Sequence, residues 1–282
     1  MIRSAVTISL VPEARGGPFV FWDDLEDGCT RAAAHGFDAV EIFPSSPDAL
    51  DPEKLKAVLE SHHLKLAAIG SGAGWVKHQL RLTDSNAAIR RKAISFISGI
   101  IDLAGPLGAP TIIGSMQGRL GDGVSREQAA IWLSEAFEEL GERAAQHDSR
   151  ILYEPLNRYE TNLFLRVADA REFLAPLRAQ NIFLLCDLFH MNIEEQNVSA
   201  ALRFAGERLG HVHFADSNRL APGLGHTDFA AISKTLREMD YRGYVSAEVF
   251  PLPDSDTAAK QAMKSFRQWF PNSSDPNPIH AP

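Results

Sequence analysis

Cysteine is nearly absent from this sequence, whose 282 residues include only Cys29 and Cys186. Two thiols are too few for a disulfide framework or a thiolate zinc site, so both are expected to be small buried apolar residues. No apolar run approaches the length of a membrane-spanning helix. We therefore expect a soluble globular protein with no membrane partner.

Concentrated positive charge is also missing. The formal net charge is −8 and the sequence pI is about 5.7. The one basic run, Arg90-Arg91-Lys92, would point in different directions on a helix and is expected to be a solvated surface. Because binding to a phosphate backbone needs a concentrated positive surface, nucleic acid is not an expected partner. The N-terminal segment resembles a first strand more than a signal peptide, which predicts a cytoplasmic protein.

Short apolar runs alternate with helix-length amphipathic segments along the chain, a pattern typical of βα units in a parallel sheet. Eight such units in fewer than 300 residues predict an α/β fold, a closed (β/α)8 TIM barrel, as a single domain over residues 1–270. The last residues, 271–282, contain four prolines and are predicted to be a flexible C-terminal tail. The predicted strands are 5–9, 39–43, 65–69, 110–114, 150–154, 182–187, 209–214 and 244–249. The predicted helices are 21–35, 51–61, 86–106, 126–147, 167–178, 198–207, 229–239 and 256–269.

Four potential metal ligands stand at the ends of apolar strands in the second half of the chain: Glu154, Asp187, His213 and Glu248. They are 33, 26 and 35 residues apart, about one strand-helix unit each, so a barrel would bring them to one rim. A carboxylate at the end of an apolar strand is costly to desolvate unless a cation compensates its charge. For any one position a salt-bridged or capping group is the better interpretation, but four at matching rims predict a metal site.

The histidine ligand must be chosen between His211 and His213, which share one face of a strand. His213 is nearer the C-terminal rim and is the predicted ligand, whereas His211 is predicted to be a hydrogen-bonded core residue. Three carboxylates and one imidazole favour Mn²⁺, Mg²⁺ or Co²⁺ over a structural zinc, and Mn²⁺ is our prediction.

The charges of this set suggest a chemistry. Three carboxylates and a divalent ion leave the site at −1, and Arg219 on the following loop adds positive charge. Such a site can hold an enediolate, because the ion acidifies the C–H beside a ketone and a carboxylate can take the proton. If Glu154 and Glu248 act on opposite faces of a sugar, one ionised and the other protonated, the result is epimerisation.

Longer motifs resemble the metal-dependent ketose 3-epimerases of the xylose-isomerase-like TIM barrel superfamily, typified by D-tagatose 3-epimerase. The matching stretches are Glu154 to Thr161, Asp187 to Glu195, and His211-Val212-His213 with Ser217-Asn218-Arg219 and Pro222-Gly223. The chain is also similar to the branch that epimerises 5-keto-gluconate, a keto-sugar acid. That similarity lies in Ala68 to Gly72, Ile112-Ile113-Gly114, Gly118-Arg119 and Ala215 to Arg219.

The resemblance implies a carbohydrate isomerase that acts on a small ketose or keto-sugar acid. It implies that Glu154, Asp187, His213 and Glu248 bind the ion, and that Glu154 and Glu248 exchange the proton. It further implies that Glu160, His190 and Arg219 hold the C1–C2 end of the sugar. Relatives commonly form dimers or tetramers, so a homo-oligomer is expected. The family usually has Thr at position 188; Leu188 is expected to point away from Asp187 and to have little effect on the ion.

An acidic substrate would need a cation for its carboxylate, and Arg119 or Lys77 could supply one. A solvated surface role is at least as good an interpretation of Lys77.

Other activities of the same barrel are alternatives. An aldose-ketose isomerase of the hydroxypyruvate-isomerase kind and a dehydratase also begin by removing a proton beside a carbonyl. An abasic-site endonuclease shares the fold but usually binds three zinc ions through more histidines. The net charge of −8 also makes DNA a poor partner. A non-catalytic sugar-binding barrel would have no need for two opposed acid/base groups.

Overall fold

The protein is described by a computed structural model that covers residues 1–121 and 123–271. Eight parallel strands close into a barrel in the order β1-β3-β4-β5-β6-β7-β8-β9, with β9 pairing back onto β1. A ninth strand, β2, pairs with the end of β1. The strands are β1 (Arg3–Ser9), β2 (Phe21–Trp22), β3 (Ala39–Phe43), β4 (Lys65–Gly70), β5 (Thr111–Ile113), β6 (Ile151–Tyr153), β7 (Ile182–Asp187), β8 (Leu209–His213) and β9 (Tyr244–Ala247).

Helices surround the barrel, as expected for the predicted (β/α)8 fold, which is confirmed. They are α1 (Leu25–His35), α2 (Pro52–Ser61), α3 (Ala73–His78), α4 (Ala87–Ala104), α5 (Arg126–Ala145), α6 (Val167–Leu174), α7 (Leu188–Glu194), α8 (Val198–Ala205), α9 (Phe229–Glu238) and α10 (Ser255–Trp269). The short helices α3 and α7 were not predicted. Among the residues described, no helix is long and apolar enough to cross a membrane.

The predicted start of the first helix at residue 21 is wrong. Phe21 is buried and extended, and it pairs with Ile8 of β1. Asp23 then turns the chain with a φ of 73°, and Asp24 begins α1 by accepting a hydrogen bond from the backbone N–H of Asp27 at 2.8 Å. Phe21 and Trp22 therefore belong to the sheet, because the cap at Asp24 fixes where helical geometry begins.

Other boundaries follow the sequence closely. Asp51 caps α2 through the N–H of Lys54 at 2.9 Å, and Asp228 caps α9 through that of Ala231 at 3.0 Å. Cys29 and Cys186 are buried, as predicted. The predicted tail lies outside the described residues except for Pro271, so the domain boundary at residue 270 stays a prediction.

Candidate active site

Four adjacent strands, β6 to β9, carry the predicted metal ligands to the C-terminal face of the barrel. Glu154 and Glu248 directly follow β6 and β9, while Asp187 and His213 end β7 and β8. One ligand atom from each residue lies within 4.8 Å of every other, and all four residues are buried. The structure therefore brings the four residues together as the spacing predicted.

Local pairing explains why Asp187 and His213 are neighbours. The register between β7 and β8 shifts after Leu184, which places Asp187 opposite His213. The Oδ1 atom of Asp187 accepts the N–H of Phe189 at 2.8 Å and so caps α7. Since one oxygen serves the helix, the other, Oδ2, is left to face the site.

Glu154 is held by its backbone. Its N–H donates to the carbonyl of Ile113 at 3.0 Å, and its own carbonyl accepts from the side chain of Gln117 at 3.0 Å. The buried hydroxyl of Tyr153 orients Gln117 by donating to its amide oxygen at 2.8 Å. The carboxylate beyond this fixed backbone points into the site.

Three buried polar atoms at the centre have no hydrogen-bond partner among the described residues: Glu154 Oε1, Asp187 Oδ2 and His213 Nδ1. The Nδ1 atom lies 3.4 Å from that Glu154 oxygen, 3.6 Å from that Asp187 oxygen and 3.3 Å from Oε2 of Glu248. Buried polar atoms are costly when unpaired, and a divalent cation would satisfy these together. Oxygen and imidazole donors fit such an ion well. The buried acidic and histidine cluster thus suggests a divalent metal.

The electrostatics of the site show its excess of negative charge. Burial raises the pKa of Glu154 to about 7 despite the adjacent His213. Burial would also raise the pKa of Asp187, but Arg219 and His190 hold it well below its ordinary value. Burial disfavours charge on His213, yet the carboxylates of Glu248 and Glu41 raise its pKa well above the ordinary value. The charges of Glu248 and Asp187 also raise the pKa of Glu154 by repulsion, which a cation at the centre would relieve.

Arg219 reaches this cluster from the loop after β8. Its guanidinium donates to Glu248, lies 3.1 Å from Oδ2 of Asp187, and stacks on the ring of Phe189 with 4.7 Å to the ring centroid. Its backbone has a φ of 61°, and its N–H donates to the carbonyl of Asp216 at 2.8 Å. A left-handed backbone is uncommon for arginine and is held here by the surrounding loop.

His190 and Glu160 lie beside the cluster and are joined by Asn157. The Nδ2 atom of Asn157 lies 2.7 Å from Nδ1 of His190 and donates to Glu160 at 3.1 Å. His190 Nε2 then faces Oδ2 of Asp187 at 3.5 Å. Burial lowers the pKa of His190 and raises that of Glu160. Asn157 belongs to the motif from Glu154 to Thr161, but no role was predicted for it. Its contacts identify it as the residue that positions His190 and Glu160.

A cavity of about 730 Å³ opens above these residues. Its wall includes Glu154, Glu160, His190, Arg219 and Glu248, together with the exposed Arg119. Arg119 forms no ion pair with the residues that the structure describes. Lys77, the other cation considered for an acidic substrate, lies 3.7 Å from Glu13 and outside the cavity lining.

The sequence did not identify Glu41, which is fully buried on β3. Its oxygens lie 2.7 Å from Nε2 of His211 and 3.0 Å from Nε2 of His213. His211 is therefore a hydrogen-bonded core residue, as predicted. Glu41 stands within the apolar strand Ala39-Val40-Glu41-Ile42-Phe43. A charged residue in such a run is the same kind of signal that predicted a site residue at Glu154.

Similarity to known proteins agrees with this geometry. The family model described as xylose isomerase-like TIM barrel matches residues 29–269. The L-ribulose 3-epimerase of Methylomonas sp. (strain DH-1) is 31% identical over 248 residues, which cover 86% of this chain and 85% of that protein. The 3-dehydro-D-guloside 4-epimerase of Escherichia coli (strain K12) is 39% identical over 116 residues, 41% of this chain and 44% of that protein.

A solved structure adds support at the level of the fold. D-allulose 3-epimerase from Methylomonas sp., in complex with D-allulose, superposes with a TM-score of 0.79 at 25% sequence identity, covering 95% of this chain and 98% of that one. A family match over most of the chain, together with a relative of over 30% identity along nearly its whole length, is decisive. The chain belongs to the xylose isomerase-like TIM barrel family, among the ketose 3-epimerases.

Proposed function

We propose that the protein is a metal-dependent epimerase of a ketose or keto-sugar acid. The observation that carries this proposal is the convergence of three buried atoms, from Glu154, Asp187 and His213, that have no hydrogen bond among the described residues and lie beside the carboxylate of Glu248. These four residues would hold a divalent ion, with Mn²⁺ expected and Mg²⁺ or Co²⁺ as alternatives. When bound, the ion supplies Lewis acidity that polarises the ketone and its neighbouring hydroxyl.

The two glutamates are suited to opposite halves of a proton exchange because their surroundings differ. Glu248 accepts a hydrogen bond from Arg219, whereas Oε1 of Glu154 has no donor among the described residues and burial favours its protonated form. One carboxylate would take the proton beside the ketone, and the other would return a proton to the opposite face. Carbon configuration is inverted when removal and return occur on different faces.

Arg219, His190 and Glu160 would bind the oxygens of the sugar next to the reacting carbon. All three line the cavity directly beside the cluster. Arg219 supplies the positive charge that stabilises the enediolate, and Asn157 holds the other two in place. Two of the relatives are named as epimerases of L-ribulose and D-allulose, which supports a small ketose as substrate.

Metal dependence is the first test. Metal-free and Mn²⁺-loaded protein would be incubated in D₂O with tagatose, fructose, ribulose and 5-keto-gluconate in turn, and followed by proton NMR. We expect deuterium at the carbon beside the ketone, and the epimer, only in the loaded sample. An aldose product would instead indicate an isomerase, loss of water a dehydratase, and no exchange with any sugar would contradict the proposal.

An acidic substrate is the finer prediction, because Arg119 lines the same cavity as the reacting groups. Arg119→Ala should lower kcat/KM for 5-keto-gluconate by about 10- to 100-fold, since a charge-assisted hydrogen bond is worth roughly 1.5–3 kcal/mol. Activity on neutral ketoses should change little. Arg166→Ala, which removes an exposed arginine paired with Asp169 outside the cavity, is the matched control. An unchanged ratio of acid to neutral activity would remove Arg119 from the substrate site.

A further inference from the structure

The buried carboxylate of Glu41 is unusual in its surroundings. Glu41 lies on β3, which is separated from β8 in the barrel by β9 and β1. Its side chain nevertheless reaches two histidines of β8 through the barrel interior. Glu41, His211 and His213 are all within 1% of complete burial. A carboxylate removed from water to this extent is costly unless each oxygen is hydrogen bonded.

Each oxygen of Glu41 faces a different imidazole. Oε2 lies 2.7 Å from Nε2 of His211, and Oε1 lies 3.0 Å from Nε2 of His213. A carboxylate only accepts hydrogen bonds, so both Nε2 atoms must carry the proton. In a neutral imidazole the other nitrogen then holds the lone pair. For His213 that nitrogen is Nδ1, the atom that faces Glu154, Asp187 and Glu248 without a hydrogen bond.

We infer that Glu41 is a positioning residue that fixes the ring of His213 with Nδ1 available to the metal, and that His211 holds Glu41 in the orientation this requires. The inference rests on the proposed metal centre. The two histidine rings lie at 86° to one another with centroids 5.5 Å apart, so they approach the carboxylate from different directions. Without the His211 contact, the Glu41 carboxylate would be free to rotate. Without the Glu41 contact, the His213 ring would be free to rotate.

The same three residues could be considered a second metal site, since their atoms lie close together. The contacts favour a hydrogen-bonded cluster instead. At 2.7 and 3.0 Å, the two pairs have the separation of N–H···O hydrogen bonds. A second ion would also make His213 a ligand through both ring nitrogens. We therefore expect one ion per chain, and metal stoichiometry tests this directly.

The test compares the wild-type protein with Glu41→Gln, which keeps the shape of the side chain but presents an N–H₂ to one of the imidazoles. Mn²⁺ affinity is measured by competition with a chelator, and the thermal midpoint is recorded with and without metal. We expect affinity to fall by about 10- to 100-fold, the usual cost of removing a partner that orients a metal-bound histidine. The rise in midpoint on adding metal should shrink accordingly.

Thr7→Val is the matched control, because Thr7 is a buried polar residue of β1 in register with Glu41 and donates to the carbonyl of Ala247 at 3.1 Å. It should lower the midpoint of metal-free and loaded protein alike and leave Mn²⁺ affinity unchanged. If Glu41→Gln behaves in the same way, Glu41 is only part of the core and the inference is wrong. Two ions per wild-type chain and one in the variant would also overturn it, by making Glu41 a ligand.

A measurement on wild-type protein keeps the inference testable if Glu41→Gln does not fold. In Mg²⁺-loaded protein labelled with ¹⁵N-histidine, His213 should show a protonated Nε2 and a metal-bound Nδ1. The opposite arrangement would contradict the role of Glu41. If the wild-type protein binds no divalent ion at all, both the proposed metal centre and this inference fail, whereas an unaffected Glu41→Gln variant of a metal-binding protein removes the inference alone.

Discussion

Replacement of Glu248 by glutamine should reduce epimerisation by about 10²- to 10⁴-fold, the usual contribution of a positioned acid or base. The amide keeps an oxygen for the metal and retains the shape of the side chain, but it cannot take up or give a proton. Glu154→Gln should have an effect of the same size. Measured metal content separates loss of proton transfer from loss of the ion.

Deuterium exchange distinguishes the two glutamates further. If they act on opposite faces, Glu248→Gln should still exchange the proton of the one epimer whose C–H faces Glu154, and Glu154→Gln should exchange only the other epimer. Conversion between the epimers should be slow in both variants. Glu238→Gln, on the outside of α9 and paired with Arg203, is the control and should behave as wild type. Exchange into the same epimer by both variants would contradict the assignment of opposed faces.

Gly114→Ala should lower kcat by about 10²-fold or more while leaving the protein folded. A Cβ atom at Gly114 would lie 2.4 Å from Oε2 of Glu154, and the nearest other atom outside that carboxyl group is a methyl of Leu156 at 3.7 Å. The carboxylate can move away at little cost to stability because it is the end of a flexible side chain. Misplacement of a reacting group by about 1 Å is enough to cost about 10²-fold in rate.

The control for this variant is Gly121→Ala, since a Cβ there would meet no atom of the described residues within 4 Å. Circular dichroism and the thermal midpoint should be nearly unchanged in both alanine variants, while steady-state kinetics should separate them. Wild-type activity in Gly114→Ala would show that the position of the Glu154 carboxylate is not critical for the reaction.

The spacing of strand ends allowed the barrel and the cluster to be predicted together. Glu154, Asp187, His213 and Glu248 each follow an apolar run, and the strand-helix repeat brings such positions to one rim. The burial of His211 also followed from its place on β8, one layer below His213. These features depend on the repeat of strand-helix units and on alternation within single strands, both of which a sequence displays directly.

Features that depend on contacts between distant segments were harder to predict. Strand β2 has only two residues, and its place in the sheet depends on pairing with Ile8 and Ser9. The short helices α3 and α7 give too little periodicity to be distinguished from loops. Glu41 was missed because its partners lie 170 and 172 residues away, and one strand alone does not show which residues its side chains will meet.

The reach of Glu41 across the barrel has a consequence for how the protein folds. The first strands must be in place, β8 must be formed, and the sheet must close between them before this contact can exist. Because the entropy of closing the intervening loop must first be overcome, we expect a contact between residues so far apart in the chain to form late. A properly oriented His213 is therefore a product of barrel closure, and high-affinity metal uptake during refolding would mark the moment at which the barrel becomes complete.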